Sequence, residues 1–150
     1  MSNFQETANW LKACDKLPGD GAALAVQMGC DIEEQLELLK CFSFTMNEHE
    51  YALFHHAIHS MEELATRLKT GDCEVKLAPE DRIEALDAIC DREVTGNGLA
   101  YLLGFDKDGA DKAVIASNWA KLVDGKPVLK PGGKIAKPEG WTAPDLTPFI

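Results

Sequence analysis

The sequence predicts an all-α fold, a helical bundle of about five helices followed by an irregular C-terminal tail. Three observations carry this. Apolar residues recur at helical spacing through most of residues 3–122, cap and turn signals fall between those segments, and Val123 to Ile150 holds four glycines and five prolines with no helical period. The chain therefore divides into a helical domain over residues 1–122 and a Gly/Pro/Lys-rich tail over 123–150 that packs on it.

Taken in order, residues 3–16 place Phe4, Ala8, Trp10, Leu11 and Cys14 on one helical face, and Leu17-Pro18-Gly19-Asp20-Gly21 ends the segment as a turn. A second helix runs from about Gly21 to Phe42, with Asp31 either continuing it or capping a break after Gly29-Cys30. The third starts at Asn47, an N-cap with Glu50 three residues on, and reaches about Lys69 before Thr70-Gly71-Asp72. Its apolar positions Leu53, Phe54, Ala57, Ile58, Met61, Leu64 and Leu68 keep helical steps. Cys73 to Leu77 reads as an extended connection. Pro79, Glu80 and Asp81 open the fourth helix, which continues past Gly96 and Gly98 to Leu103. Two interior glycines, each costing about 1 kcal/mol relative to alanine, point to close packing or a kink. A fifth helix spans about Lys107 to Leu122, and the tail has room for a short hairpin around Lys130-Pro131-Gly132-Gly133.

At 150 residues the chain is one domain by length and needs no disulfide to fold. Its five cysteines form no CxxC pair and no zinc spacing, which reads as free thiols in the reducing cytoplasm, the host's if a phage encodes the chain. No stretch approaches the roughly 20 apolar residues of a membrane span, and no secretion leader opens the chain. A net charge of −10 argues against nucleic-acid phosphates as a partner. Lys107, Lys112, Lys121, Lys126, Lys130, Lys134 and Lys137 crowd the last third, so an acidic front half precedes a more basic tail. Metal held by the first and an anionic substrate held by the second would use both.

The acids carry the chemistry. Glu33, Glu34 and Glu37 fall within about 100° of arc on one helix, and Glu84, Asp87 and Asp91 within about 60° on another. Ile32, Leu36 and Leu39 stand beside the first set, so packing would partly desolvate the carboxylates, a cost that pairing or a cation offsets. Mg²⁺ and Mn²⁺ prefer hard oxygen ligands and bridge carboxylates to substrate phosphates, and these two faces supply oxygens for two or three such ions. Ions there would neutralise a polyphosphate and acidify a bound water, with one glutamate left as general base. Any single EExxE is more often a solvated helix face.

The segment Asp87 to Asp106 (DAICDREVTGNGLAYLLGFD) resembles the MazG-like all-α nucleoside triphosphate pyrophosphohydrolases, particularly their phage-encoded branch, in which EExxE lies on one helix and an acid pair ending in aspartate on another. Ala116-Ser117-Asn118-Trp119-Ala120-Lys121-Leu122, then Asp124-Gly125-Lys126-Pro127, Gly133-Lys134 and Pro144-Asp145-Leu146, are similar to the SNxxK helix and DGKP tail of that branch. The resemblance covers residues 28–42 and about 84–146. It implies Mg²⁺-dependent cleavage of a (deoxy)nucleoside triphosphate between the α and β phosphates, giving monophosphate and pyrophosphate, with Mn²⁺ able to substitute. It implies Glu33, Glu34 and Glu37 as catalytic acids, Glu34, Glu37, Glu84, Asp87 and Asp91 as metal ligands, and Asn118 and Lys121 as phosphate contacts. It also implies a helical bundle completed in a homo-oligomer, a dimer or tetramer. The family's second motif is ExxD, whereas Ala88 stands three residues before Asp91, so Asp87 or Glu84 supplies the missing oxygen. Residues 40–81 are also longer than the compact family pattern.

Trp10, Trp119 and Trp141 each offer a face on which a nucleobase can stack. Helical spacing makes Trp10 and Trp119 more often core, and Trp141 fits docking of the tail. Asn97, between two glycines, reads equally as a hydrogen-bonding contact to a base or sugar and as a local kink with no ligand. His55 and His59 have the i, i+4 spacing of a metal pair but lack a third strong ligand, so surface or interface histidine is the plainer reading. Nothing in the acid motif selects a base, because ions see phosphates; (d)GTP is the leading expectation from the resemblance, with dUTP, dCTP or a broad range as the alternative. A di-iron bundle would need ExxH pairs, which none of the four histidines forms. A non-catalytic acidic protein that mimics DNA is the remaining class.

Overall fold

In the computed structural model, which describes residues 2–130 and 133–150, the described chain is all-α, with five helices and one very short β-hairpin. It forms two compact units. One contains Leu17–Val75 with Leu129–Ile135, and the other the remaining N-terminal, central and C-terminal segments.

In the first unit, helix α2 (Gly21–Lys40) and helix α3 (Glu48–Thr70) pack antiparallel along their length. Asp20 caps α2 by accepting the Ala23 N–H at 2.9 Å. Asn47 and Glu50 exchange bonds of 3.0 and 2.9 Å as a capping box at the start of α3, as expected. Gly71 ends α3 in the left-handed region, at φ 86°, where a side chain would be strained. The α2–α3 interface buries Ala25, Leu36, Ala65 and Leu68. Gly29 does not break α2. A Cβ there would meet the Ala65 carbonyl oxygen and Lys69 Cγ at 2.8 Å and Leu68 Cβ at 3.1 Å, so its missing side chain lets the helices approach. Leu129 and Ile135 bridge as antiparallel neighbours, and the Lys130 N–H donates to the Lys134 carbonyl at 2.8 Å. Pro131 and Gly132, in the hairpin expected there, lie outside the described residues.

The second unit holds helix α1 (Asn3–Ala13), helix α4 (Arg82–Leu103) after a 3-10 turn at Pro79–Asp81, and helix α5 (Lys107–Trp119). Helix α1 stops earlier than residue 16 because Asp15 adopts φ 58°. Helix α5 stops at Trp119, short of Leu122, and the chain turns into a hairpin of strands β1 (Leu122–Val123) and β2 (Lys126–Pro127). Asp124 and Gly125 both have positive φ, 50° and 74°, the geometry of a two-residue hairpin turn. The C-terminal 3-10 turn Thr147–Phe149 docks on the start of α5: the Asp106 N–H donates to the Phe149 carbonyl at 2.9 Å, and the Phe149 ring lies over Gly109. Gly96 and Gly98 pack against nothing, since a Cβ on either would find no atom within 4 Å. Of the two readings of these glycines, close packing or a kink, close packing is not present. No described helix is long and apolar enough to cross a membrane.

Candidate functional site

The EExxE segment lies in the second half of α2, and its three acids are not equivalent. Glu33 is half-buried and accepts hydrogen bonds from two ammonium groups, Lys69 Nζ at 2.6 Å and Lys134 Nζ at 2.9 Å. The Lys69 bond first, then the Lys134 bond, holds the Glu33 carboxyl below the usual carboxylate range, and the Glu33 bond raises Lys134 in turn. Residues 36 and 101 positions away thus meet on one carboxylate, joining α2, α3 and the segment that carries the Leu129–Ile135 bridge. Glu34 and Glu37 are exposed. One turn before Glu33, burial pushes the Cys30 thiol up and leaves it protonated near neutral pH.

A shallow groove of about 190 Å³ runs between α2 and α3, lined by Ile32, Leu36, Leu39, Phe54, Ile58 and Met61, with Gln35 as its polar side chain. At 100° per residue the groove face of α2 is centred about 155° from the acid face. A nucleobase held in the groove would therefore stand on the wrong side of the helix for its phosphates to reach Glu34 and Glu37. At the start of α3, Tyr51 and Phe54 pack on His55, with centroids 4.2 and 5.7 Å from it; His55, His56 and His59 are all exposed.

The second acid set, Glu84, Asp87 and Asp91, is exposed on α4, in the other unit. The donors of both sets are hard carboxylate oxygens of the kind Mg²⁺ and Mn²⁺ take. Among the described residues, however, no three His, Cys, Asp or Glu side chains stand together as a ready metal centre.

The SNxxK stretch ends α5 in a polar cluster. Asn118 Oδ1 accepts from Lys121 Nζ at 2.7 Å, and the Asn118 carbonyl accepts the Trp10 indole N–H at 2.9 Å. The Ser117 carbonyl accepts the Trp141 indole N–H at 3.0 Å, so two tryptophans bond carbonyls at the end of α5, that of Asn118 also accepting the Lys121 N–H at 3.1 Å. Trp141 docks the tail here, with Lys121 and Lys137 placed 5.4 and 4.6 Å from its ring centre. Trp119 stays partly exposed and Asn97 is exposed on α4.

Lys69 is the participant that sequence reasoning missed. It ends a helix and resembles any last-turn lysine; only the α2–α3 pairing brings it to Glu33. Compared with family models, with characterised proteins and with solved structures, the chain matches none of them.

Proposed function

We propose that this chain is a Mg²⁺-dependent (d)NTP pyrophosphohydrolase that cleaves between the α and β phosphates. The observation that carries the reading is the division of labour on α2. Glu33 is fixed by Lys69 and Lys134, while Glu34 and Glu37 stay exposed on the same helix. The exposed acids of α4, Glu84, Asp87 and Asp91, add a second set of hard oxygens. Two or three Mg²⁺ or Mn²⁺ ions held by such carboxylates would supply charge neutralisation and an acidified water. In this reading Glu34, Glu37, Glu84, Asp87 and Asp91 hold the ions, with Glu33, Glu34 and Glu37 the catalytic acids.

In the same reading Asn118 and Lys121 contact the phosphates, and Asn97 and Trp119 a base or sugar. The resemblance to the MazG-like family supports this choice over other phosphate chemistry. The substrate is best guessed as dGTP or GTP, the partner is a further copy of this chain, and the five free thiols suit the cytoplasm.

The test is incubation with each dNTP and Mg²⁺ or Mn²⁺, identifying the products, with competition among the dNTPs to rank the bases. Glu34→Gln or Glu37→Gln removes turnover while the helical circular dichroism stays. Retained activity in both would reject the site. The exposure of both acid sets also suits a non-catalytic DNA mimic, in which Glu→Gln changes act in small graded steps and divalent ions have no effect.

A further inference from the structure

Where the tail meets the end of α5, two ammonium groups stand on one indole ring. The Trp141 backbone N–H donates to the Pro138 carbonyl at 3.1 Å, closing a tight turn whose third residue, Gly140, has φ 78°. That turn brings Lys137 back over the ring, its Nζ 4.6 Å from the Trp141 centre. Lys121, two residues past the end of α5, places its Nζ 5.4 Å from the same centre. The ring itself is held, because its indole N–H donates to the Ser117 carbonyl at 3.0 Å. All of these residues belong to one compact unit.

Two like charges gathered on one ring repel each other, and an anion relieves that repulsion. Asn118 joins the same group. Its Oδ1 accepts from Lys121 Nζ at 2.7 Å, which leaves its two amide N–H donors without a partner among the described residues. An ammonium is a compact point charge with three donors, a form that suits phosphate oxygens. Both ammoniums stand within 5.4 Å of one ring centre, close enough for neighbouring phosphates of one chain to meet both. The carboxylate faces of α2 and α4 repel phosphate unless a cation intervenes; this cluster, in a chain of net charge −10, attracts it directly.

We propose that the end of α5 and the tail form a metal-independent diphosphate site, in which Lys121 and Lys137 bind adjacent phosphates, Asn118 donates beside them, and Trp141 is the positioning residue that holds the two ammoniums together. It rests on the phosphate role proposed above for Asn118 and Lys121 and extends it. Lys137 becomes a further phosphate contact, and the group bound is a diphosphate, carried by a nucleoside triphosphate or released as pyrophosphate.

The experiment is isothermal titration calorimetry of the whole chain, in buffer stripped of divalent ions, with pyrophosphate, a dNTP and orthophosphate. Pyrophosphate and the dNTP are expected to bind in one saturable step that weakens as salt rises, and orthophosphate more weakly. Lys137→Gln weakens pyrophosphate by about tenfold, the loss of one charge-assisted hydrogen bond, and Lys137→Arg restores most of it. Lys112→Gln, which removes an exposed charge from α5 outside the cluster, leaves it unchanged. Binding without turnover in Mg²⁺ keeps this site and removes the hydrolase reading; turnover with no metal-free binding does the reverse. Absence of saturable pyrophosphate binding overturns the proposal, as does equal affinity in Lys137→Gln or an equal loss in Lys112→Gln. Orthophosphate binding as tightly as pyrophosphate, or a dNTP that binds while pyrophosphate does not, overturns it equally.

Discussion

Replacing Gly29 with alanine tests how α2 and α3 are held together. The added methyl meets the Ala65 carbonyl oxygen and Lys69 Cγ at 2.8 Å and Leu68 Cβ at 3.1 Å. Lysine methylenes can move aside, but a backbone carbonyl cannot without shifting α3. Overpacking of this kind costs about 1–3 kcal/mol, and the gain in helix propensity from glycine to alanine returns about 1 kcal/mol. The net is a destabilisation of up to about 2 kcal/mol, which for a chain of this size lowers the melting temperature by up to about 4–8 °C. Gly96→Ala is the control, because a methyl there meets nothing. It carries only the propensity gain, and its melting temperature rises by about 2–4 °C. Thermal circular dichroism on the two variants and the parent reads both signs. An alanine at position 29 that stabilises the chain as much as one at position 96 would refute the close α2–α3 contact.

Other consequences follow from individual groups. The Glu33 carboxyl is depressed by Lys69 and Lys134, so its contribution to stability is present above the usual carboxylate range and is lost as pH falls through its folded value. Lys134 is raised by Glu33, so its share is present below 10.5 and lost as pH rises through its folded value. Glu33→Gln therefore flattens the acid limb of a melting-temperature profile and costs about 1–2 kcal/mol at neutral pH, between surface and fully buried pairs. An unchanged acid limb would show that the clamp is not formed. Among the thiols, exposed Cys41 and Cys90 react with a thiol reagent in the native chain, while Cys14, buried and raised by that burial, waits for unfolding. Fast labelling of Cys14 would contradict its packing in the unit of α1 and α5.

What was legible in the sequence is what short-range chemistry decides. The Asn47 and Glu50 capping box, the stop at Gly71 and the turn at Pro79, a 3-10 turn before α4 rather than its first turn, all involve residues within a turn of one another. Gly29 was ambiguous because a helix break and a helix crossing use the same residue, and only the presence of Ala65 and Leu68 distinguishes them. The Asp124-Gly125 hairpin carried a readable signal, an aspartate and glycine pair suited to two positive φ values, obscured by the prolines around it. The acid sites were legible as helix faces. The clamp on Glu33 was not, because it joins residues far apart in the chain whose meeting depends on how α3 returns along α2. Asn118 was expected to face phosphates; in the structure its side chain and carbonyl also organise the end of α5 through Lys121 and Trp10, a role that a motif string does not display.

The central proposal is that the acids of α2 and those of α4 hold divalent cations for cleavage of a nucleoside triphosphate. Following a dNTP with Mg²⁺ by ³¹P nuclear magnetic resonance tests it most directly. The account predicts that monophosphate and pyrophosphate appear together, that a chelator stops them, and that neither Glu34→Gln nor Asp91→Asn produces them. Orthophosphate as the product, or an unchanged triphosphate with every base and either cation, would contradict it.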